Sequence, residues 1–415
     1  MKIEEKIYEI ENSIYINWKK QPFRSDISLM TGLSGIPLFY YMLYLYSDEK
    51  KYLEYIEKII EYIFEHINES DQKIGTTFSS GVSGIGFMLN ILEKTGNFKN
   101  LDLEDNLLII DEILLDTVDY FLSYIDNLEH KQKVEQIDFL HGVLGIAYYT
   151  LERFEKISEK NKIVSLFEKI SEIIISDGQN AYDLRDVTEI SESFQKTNLG
   201  LAHGHVSYIL ILIKFLEKFP QNLKVREALI ESTNTILLFE NDNDKSFCKF
   251  PSIAVNKKTA FYNIHLGWCY GDQSVSYALY KAGNLLKDDF LIDKSNQIAL
   301  STLKRNDIES ALINKDRYDA GFCHGTASVA YNHCKWYKIT KDKNFEDLYV
   351  KFTKETLLKA KYDDGLAGFM KYNGEGELVQ AIGILDGITG IGVFLLDNIL
   401  KEKSNFNWQS IFLLE

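Results

Sequence analysis

Hydrophobic and polar positions along this chain fall into two alternating kinds of segment. The first carries its apolar residues on a single stripe. Between Tyr52 and Ile67, Leu53, Ile56, Ile60, Ile63 and Ile67 form one stripe, with Glu54, Glu57, Lys58, Glu61 and Glu65 elsewhere. That spacing predicts an amphipathic helix with one face on a core. Comparable stripes run through 107–125 (Ile113, Val118, Phe121, Leu122, Ile125), 222–240 and 344–361. The second kind is apolar on nearly every side, as in Ile36-Pro37-Leu38-Phe39-Tyr40-Tyr41-Met42-Leu43. A helix hydrophobic all round is a buried one.

Each buried segment opens on a glycine motif, and the motif occurs seven times: Thr31-Gly32-Leu33-Ser34-Gly35, Ser80-Gly81-Val82-Ser83-Gly84, His141-Gly142-Val143-Leu144-Gly145, Ala202-His203-Gly204-His205, Cys269-Tyr270-Gly271, Cys323-His324-Gly325 and Asp386-Gly387-Ile388-Thr389-Gly390. Their leading glycines are 49 to 67 residues apart. The repeating unit is an exposed helix, a loop, a glycine turn and a buried helix. Seven such pairs predict an all-α chain. Closed on themselves they make an α/α toroid, a double ring of seven outer and seven inner helices with the glycine turns gathered at one end. Only four prolines interrupt the chain, which suits long helices. Residues 1–415 read as one such domain. The stretches 177–199 and 241–265 break the repeat and are expected to be loop-like extension or cap insertions; 249–262 holds short β-prone pieces.

Composition narrows the function classes. With 45% hydrophobic residues the chain can bury a sizeable core, yet no run of about 18 uncharged apolar residues marks a membrane span. The charged start Met1-Lys2-Ile3-Glu4-Glu5-Lys6 does not resemble a signal peptide. Four cysteines in 415 residues fit a reducing cytoplasm better than a disulfide framework. A net charge of −15 argues against nucleic acid, whose phosphates need basic clusters, and suits a neutral or cationic partner such as a basic peptide. The chain has no Gly-x-Ser-x-Gly elbow and no phosphate-binding loop, and Gly84-x-Gly86 and Gly390-x-Gly392 lack the strand–turn–helix context of a dinucleotide site.

The candidate chemistry sits on the glycine turns. Cys269 lies in Gly267-Trp268-Cys269-Tyr270-Gly271, and Cys323 and His324 lie in Gly321-Phe322-Cys323-His324-Gly325. Two thiolates and an imidazole are good tetrahedral zinc ligands, and three protein ligands leave a fourth position open. The competing reading is two small buried cysteines and a packed histidine. His203, in Gly200-Leu201-Ala202-His203-Gly204, occupies the same place in its turn and is either a fourth ligand or an acid/base group. Asp138, before the third turn, either orients a histidine across the ring or serves as a cap or solvated loop acid. His141 carries the same ambiguity, and Asp386 reads as a cap of the helix after it. His205, Cys248 and Cys334 read as packing.

Gly-Leu-Ala-His-Gly at 200–204, Trp-Cys-Tyr-Gly at 268–271 and Cys-His-Gly at 323–325 together mark a resemblance to the lanthionine synthetase C-like family, the lantibiotic cyclases, running through all seven glycine turns. The resemblance implies an α/α toroid and one zinc ion held by Cys269, Cys323 and His324. It implies acid/base roles for His203 and Asp138, and places Tyr270 at the border of the site. It also implies that a dehydrated precursor peptide is the substrate, that its cysteines are joined to dehydroalanine or dehydrobutyrine as thioethers, and that a dehydratase and an exporter are partners in a membrane-associated complex. Family members from bacteria usually carry arginine four residues before the first cysteine ligand. Here that place, beside the expected substrate, is His265. The alternatives are a non-catalytic zinc- or thiol-binding scaffold, taking glutathione or a peptide, and a zinc prenyltransferase with a carboxylate ligand.

Overall fold

The computed structural model describes residues 2–69, 74–241, 247–312, 316–400 and 406–415. Its helices alternate as the hydrophobic pattern predicts. In chain order they are α1 (Ile3–Asn17) and α2 (Ile36–Ser47), α3 (Lys51–Glu69) and α4 (Val82–Glu93), then α5 (Leu103–Tyr124), the short α6 (His130–Gln136) and α7 (Val143–Glu152). There follow α8 (Lys160–Leu184) and α9 (His205–Lys218), α10 (Leu223–Leu238) and α11 (Asp272–Leu286), then α12 (Asp289–Thr302), the short α13 (Ile308–Ala311) and α14 (Thr326–Thr340), and finally α15 (Lys343–Leu358) and α16 (Ile388–Leu400). The second long helix of each pair follows a glycine turn. Burial matches the pattern: α2 is buried at every position from Ile36 to Leu43, whereas α3 buries Ile56, Ile59, Ile60 and Ile63 on one side. One stripe position differs. Ile113 is exposed, and Leu114 faces the core in its place.

The chain divides into two compact units, Met1–Glu112 with Asn314–Lys335 and Glu346–Glu415, and Ile113–Ile313 with Trp336–Phe345. In the first, backbone hydrogen bonds stitch neighbouring turns together. Met30 N–H donates to Ser79 O at 3.2 Å, Leu385 N–H to Met30 O at 2.9 Å, and Phe322 N–H to Leu385 O at 2.7 Å. The sixth, seventh, first and second turns therefore stand in a row, and α16 packs against α1 and α2. In the second unit α9 packs against α10 and α11, and α10 also against α8. Leu201 and Ala202 N–H both donate to Cys269 O, at 2.8 and 3.2 Å, joining the fourth turn to the fifth.

Both irregular stretches lie in the second unit, and they meet in one sheet. β1 (Thr197–Asn198) pairs antiparallel with β2 (Pro251–Ala254), which pairs with β3 (Ala260–Tyr262). Residues 242–246 lie outside the described residues. The expected loop at 177–199 is corrected at its start, because 177–184 completes α8. Asp177-Gly178-Gln179-Asn180 has a turn composition, but the apolar stripe continues through Ile170, Ile173, Ile174 and Ala181. Packing against α10 overrides the local preference. A second hairpin, β4 (Lys371–Tyr372) with β5 (Leu378–Val379), belongs to the first unit.

Candidate functional site

The glycine turns share a local construction. In four of them the side chain six residues before the turn glycine accepts the amide N–H two residues on: Asp26 from Ser28 at 3.0 Å, Asn198 from Gly200 at 2.9 Å, His265 from Gly267 at 3.1 Å and Asp319 from Gly321 at 2.9 Å. Such short-range bonds fix a turn before the helix begins. The glycine then packs on the backbone of that brace. A Cβ on Gly204 would lie 2.0 Å from Asn198 O, and one on Gly271, whose φ is +114°, would lie 2.3 Å from His265 O. A left-handed φ with no room for Cβ leaves glycine as the residue that fits.

In the second unit this scaffold gathers Asp138, His203 and Tyr270. Asp138 Oδ2 is 2.7 Å from His203 Nδ1, and its Oδ1 accepts the His141 backbone N–H at 2.7 Å. A carboxylate can only accept, so Nδ1 carries the proton it donates and Nε2 is the nitrogen left for exchange with a substrate. The His141 ring stacks on His203 with centroids 5.5 Å apart and planes at 20°, and Tyr270 lies on at 6.4 Å. Gly200 lets the Tyr270 ring approach, since a Cβ there would sit 2.3 Å from Tyr270 Cε1. His203 is partly exposed and opens onto a cleft of about 400 Å³ lined by Lys131, Phe194 and Tyr208 with Asp138, His141 and His203. Cys269 is buried on the neighbouring turn. His265, expected beside the substrate, is fully buried, and its Nδ1 accepts the Gly267 N–H as the brace of the fifth turn.

In the first unit, Cys323 and His324 hold donor atoms within 4.8 Å of each other. Phe322 anchors them, buried among Tyr331, Trp408 and Phe412. The sequence reading missed Asp319. Its carboxylate lies 3.9 Å from His324 Nε2, and burial pushes its pKa up. Its place in the turn, the same as Asn198 and His265 in theirs, was the available signal. Burial works against an imidazolium at His324, but its hydrogen bond to Cys323 and the charges of Cys323, Asp319 and Asp386 outweigh this and raise its pKa to about 10. Asp386, read as a helix cap, instead accepts a hydrogen bond from Lys371 Nζ at 3.2 Å. None of the four cysteines is joined in a disulfide. A Cys, Cys, His donor set with unoxidised sulfurs is the chemistry a zinc ion takes.

Two buried polar groups had no signal in local spacing. His205, read as packing, is fully buried with Nδ1 3.2 Å from Ser232 Oγ and Nε2 3.2 Å from Asp177 Oδ2. Burial alone would raise the Asp177 pKa, but His130 and His205 hold it below the ordinary carboxyl value. Asp272, at the start of α11, accepts the Lys249 and Phe250 N–H groups at 2.9 and 3.0 Å and pairs with the buried Arg305. It ties the strand segment to the helix that follows Cys269.

Comparison with known proteins gives this geometry a family. The family model for lanthionine synthetase C-like proteins matches residues 24–413. The nisin biosynthesis protein NisC of Lactococcus lactis subsp. lactis is 24% identical, over 83% of this chain and 82% of its own. A solved structure of nisin cyclase, 21% identical, covers 99% of this chain and 97% of its own with a TM-score of 0.72. That match shows the fold class, an α/α toroid. With the helix pairs and the glycine turns in place from residue 24 to residue 413, the chain belongs to the lanthionine synthetase C-like family.

Proposed function

We propose that this chain is a zinc-dependent lantibiotic cyclase that joins cysteine thiols of a dehydrated precursor peptide to dehydroalanine or dehydrobutyrine. The observation that carries the reading is His203, held by Asp138 at 2.7 Å on a turn hydrogen-bonded directly to the carbonyl of Cys269. A positioned acid beside a thiol-bearing turn is what a thiol addition needs. Family membership and the name of the similar NisC protein support the substrate class.

Cys269, Cys323 and His324 would hold the zinc. Bound there, zinc would supply a Lewis acid that keeps a substrate thiol deprotonated at neutral pH, against a free pKa of about 8.5. The chain's own residues do the rest. The substrate sulfur adds to the β-carbon, and the C=C electron pair moves to the α-carbon and its amide oxygen. His203 delivers a proton from Nε2 to the α-carbon, while Asp138 holds Nδ1–H and stabilises the charged ring before transfer. The thiol proton lost and the carbon proton gained balance, so peptide mass does not change. We place the reaction in the cytoplasm, with a dehydratase and an exporter as partners. Among the described residues no helix is long and apolar enough to cross a membrane.

The test incubates the purified chain with dehydrated precursor peptides, the nisin precursor among them, and counts free thiols by alkylation. Thiols should fall with the chain present, persist with a chelator and fall again on adding zinc. A zinc-loaded chain that binds peptide yet leaves every thiol free would replace this reading with the non-catalytic scaffold.

A further inference from the structure

We propose that Tyr208 is a substrate-binding residue: in the cleft onto which His203 opens, its hydroxyl donates a hydrogen bond to a backbone carbonyl oxygen of the dehydrated precursor peptide. The inference rests on the cyclase reading above.

Tyr208 belongs to α9, the helix that the His203 turn opens, and its backbone N–H donates to Gly204 O at 3.2 Å. Only 2% of the residue is exposed, yet it lines the cleft of about 400 Å³ together with Asp138 and His203. That volume lies in the ordinary range of ligand pockets. No described residue hydrogen-bonds the Tyr208 hydroxyl. The hydroxyls of Tyr40 and Tyr52 are also unpaired, but those two are sealed inside the core, whereas that of Tyr208 is not sealed. The cleft is the opening that this buried residue lines, so the cleft is what reaches its hydroxyl. A peptide that fills the cleft strips water from that hydroxyl, at a cost unless the peptide itself supplies a partner.

The ring is held from behind. It packs on the ring of His205 with centroids 5.1 Å apart, and His205 is itself held between Ser232 and Asp177. The hydroxyl is therefore presented already ordered, so little side-chain freedom is lost when a peptide binds.

The surroundings select the kind of partner. A phenol carries one proton to donate, and the protein offers it no acceptor. That proton stays on the oxygen: burial first, then the charges of Asp177 and Asp138, raise the pKa well above the ordinary 10. The same two carboxylates disfavour an anionic acceptor such as a carboxylate or phosphate. A neutral amide carbonyl remains, and a peptide carries one at every residue. Val134 and Phe194 line the same cleft and add apolar surface for the uncharged dehydroamino side chains.

The probe is the precursor that the wild-type chain cyclises, dehydrated and with alanine in place of its cysteines, so that it binds but has no thiol to add. Tyr208→Phe removes only the hydroxyl. We expect the dissociation constant of that peptide, measured by titration calorimetry, to rise roughly 2–10-fold. KM for the thiol-bearing peptide should rise by the same factor, with the loss in KM rather than in kcat. The melting temperature of the unliganded variant should not fall, because the hydroxyl bonds to nothing it would leave behind. A tyrosine that only supports the fold predicts the reverse, a lower melting temperature with unchanged peptide affinity, and that result overturns the inference. Wild-type affinity at wild-type stability, or a loss confined to kcat, overturns it as well. Should the variant be less stable, the rise in melting temperature that the peptide produces in each chain decides: a smaller rise in the variant supports the inference, and an equal rise overturns it. A wild-type chain that never lowers the thiol count sinks the cyclase reading and this inference with it; one that cyclises beside a Tyr208→Phe variant of equal peptide affinity sinks this inference alone.

Discussion

Asp138 divides its two oxygens between His203 Nδ1 and the His141 backbone N–H, each at 2.7 Å. One carboxylate thereby fixes both the tautomer of the proposed acid and the turn that carries its stacking partner.

Asp138→Asn should separate these functions. An asparagine can keep the His141 contact through Oδ1, but its NH₂ end would meet Nδ1 of His203 as a donor and reverse the tautomer. We expect cyclisation to slow by roughly 10²–10⁴-fold, the range of general acid–base catalysis. Zinc content should stay at the wild-type level. Thiol counting alongside elemental analysis checks both, and wild-type rates would remove Asp138 from the mechanism.

Metal and chemistry should part in a second pair of variants. Cys323→Ala is expected to lose zinc and cyclisation together, because a site left with one thiolate and one imidazole binds weakly. His203→Ala is expected to keep its zinc and lose ring formation. Full metal retention in the first variant, or normal ring formation in the second, would strike the corresponding role.

Arg305 and Asp272 form an ion pair with both side chains buried. Arg305→Met leaves the Asp272 carboxylate with only the two backbone donors of Lys249 and Phe250. An uncompensated buried charge of this kind costs about 3–5 kcal/mol. Chemical denaturation should show a lower midpoint of that size. A loss below about 1 kcal/mol would mean that the pair is no more valuable than a surface one.

Lys359 gives the stability a pH dependence. Burial holds its pKa down to about 8 from an ordinary 10.5, with Lys361 adding to the effect and Asp319 and Glu355 opposing it. Its amine lies 3.3 Å from the centroid of the Tyr318 ring. Between those two values the unfolded chain holds a proton that the folded chain has released, so stability rises with pH across that window. Below about 8 both states are charged, and the folded state bears the full cost of burying the ammonium. Lys359→Met, which keeps an unbranched stem over the ring, should be more stable than wild type at neutral pH, with the difference shrinking as pH passes through the window. Denaturation midpoints at neutral pH and near pH 10 check this; a difference that does not change would assign the effect to packing.

Periodicity and glycine placement carried the helix pairs into the sequence, because both are local. A stripe at three- and four-residue spacing declares which face is buried. A turn whose glycine must sit on a carbonyl six residues back tolerates no Cβ. For the same reason Cys269, Cys323, His324 and His203 could be singled out by their places in equivalent turns. The braces are legible in principle, yet the resemblance draws attention to His265 as standing in the place of the family's arginine, whereas its burial and its bond to the Gly267 N–H show it as a brace only once the fold is in hand.

Tertiary structure decided the partnerships. Asp138 meets His203 across 65 residues and Asn198 meets Tyr270 across 72, and spacing along a chain says nothing about which turn lies beside which. Packing of α8 on α10 turned 177–184 into helix against its composition. Arg305 found Asp272 only because burial makes a missing partner costly. What residue types and local period encode is each turn's own shape; what they do not encode is the neighbour that gives a side chain its hydrogen-bond direction, and with it its chemistry.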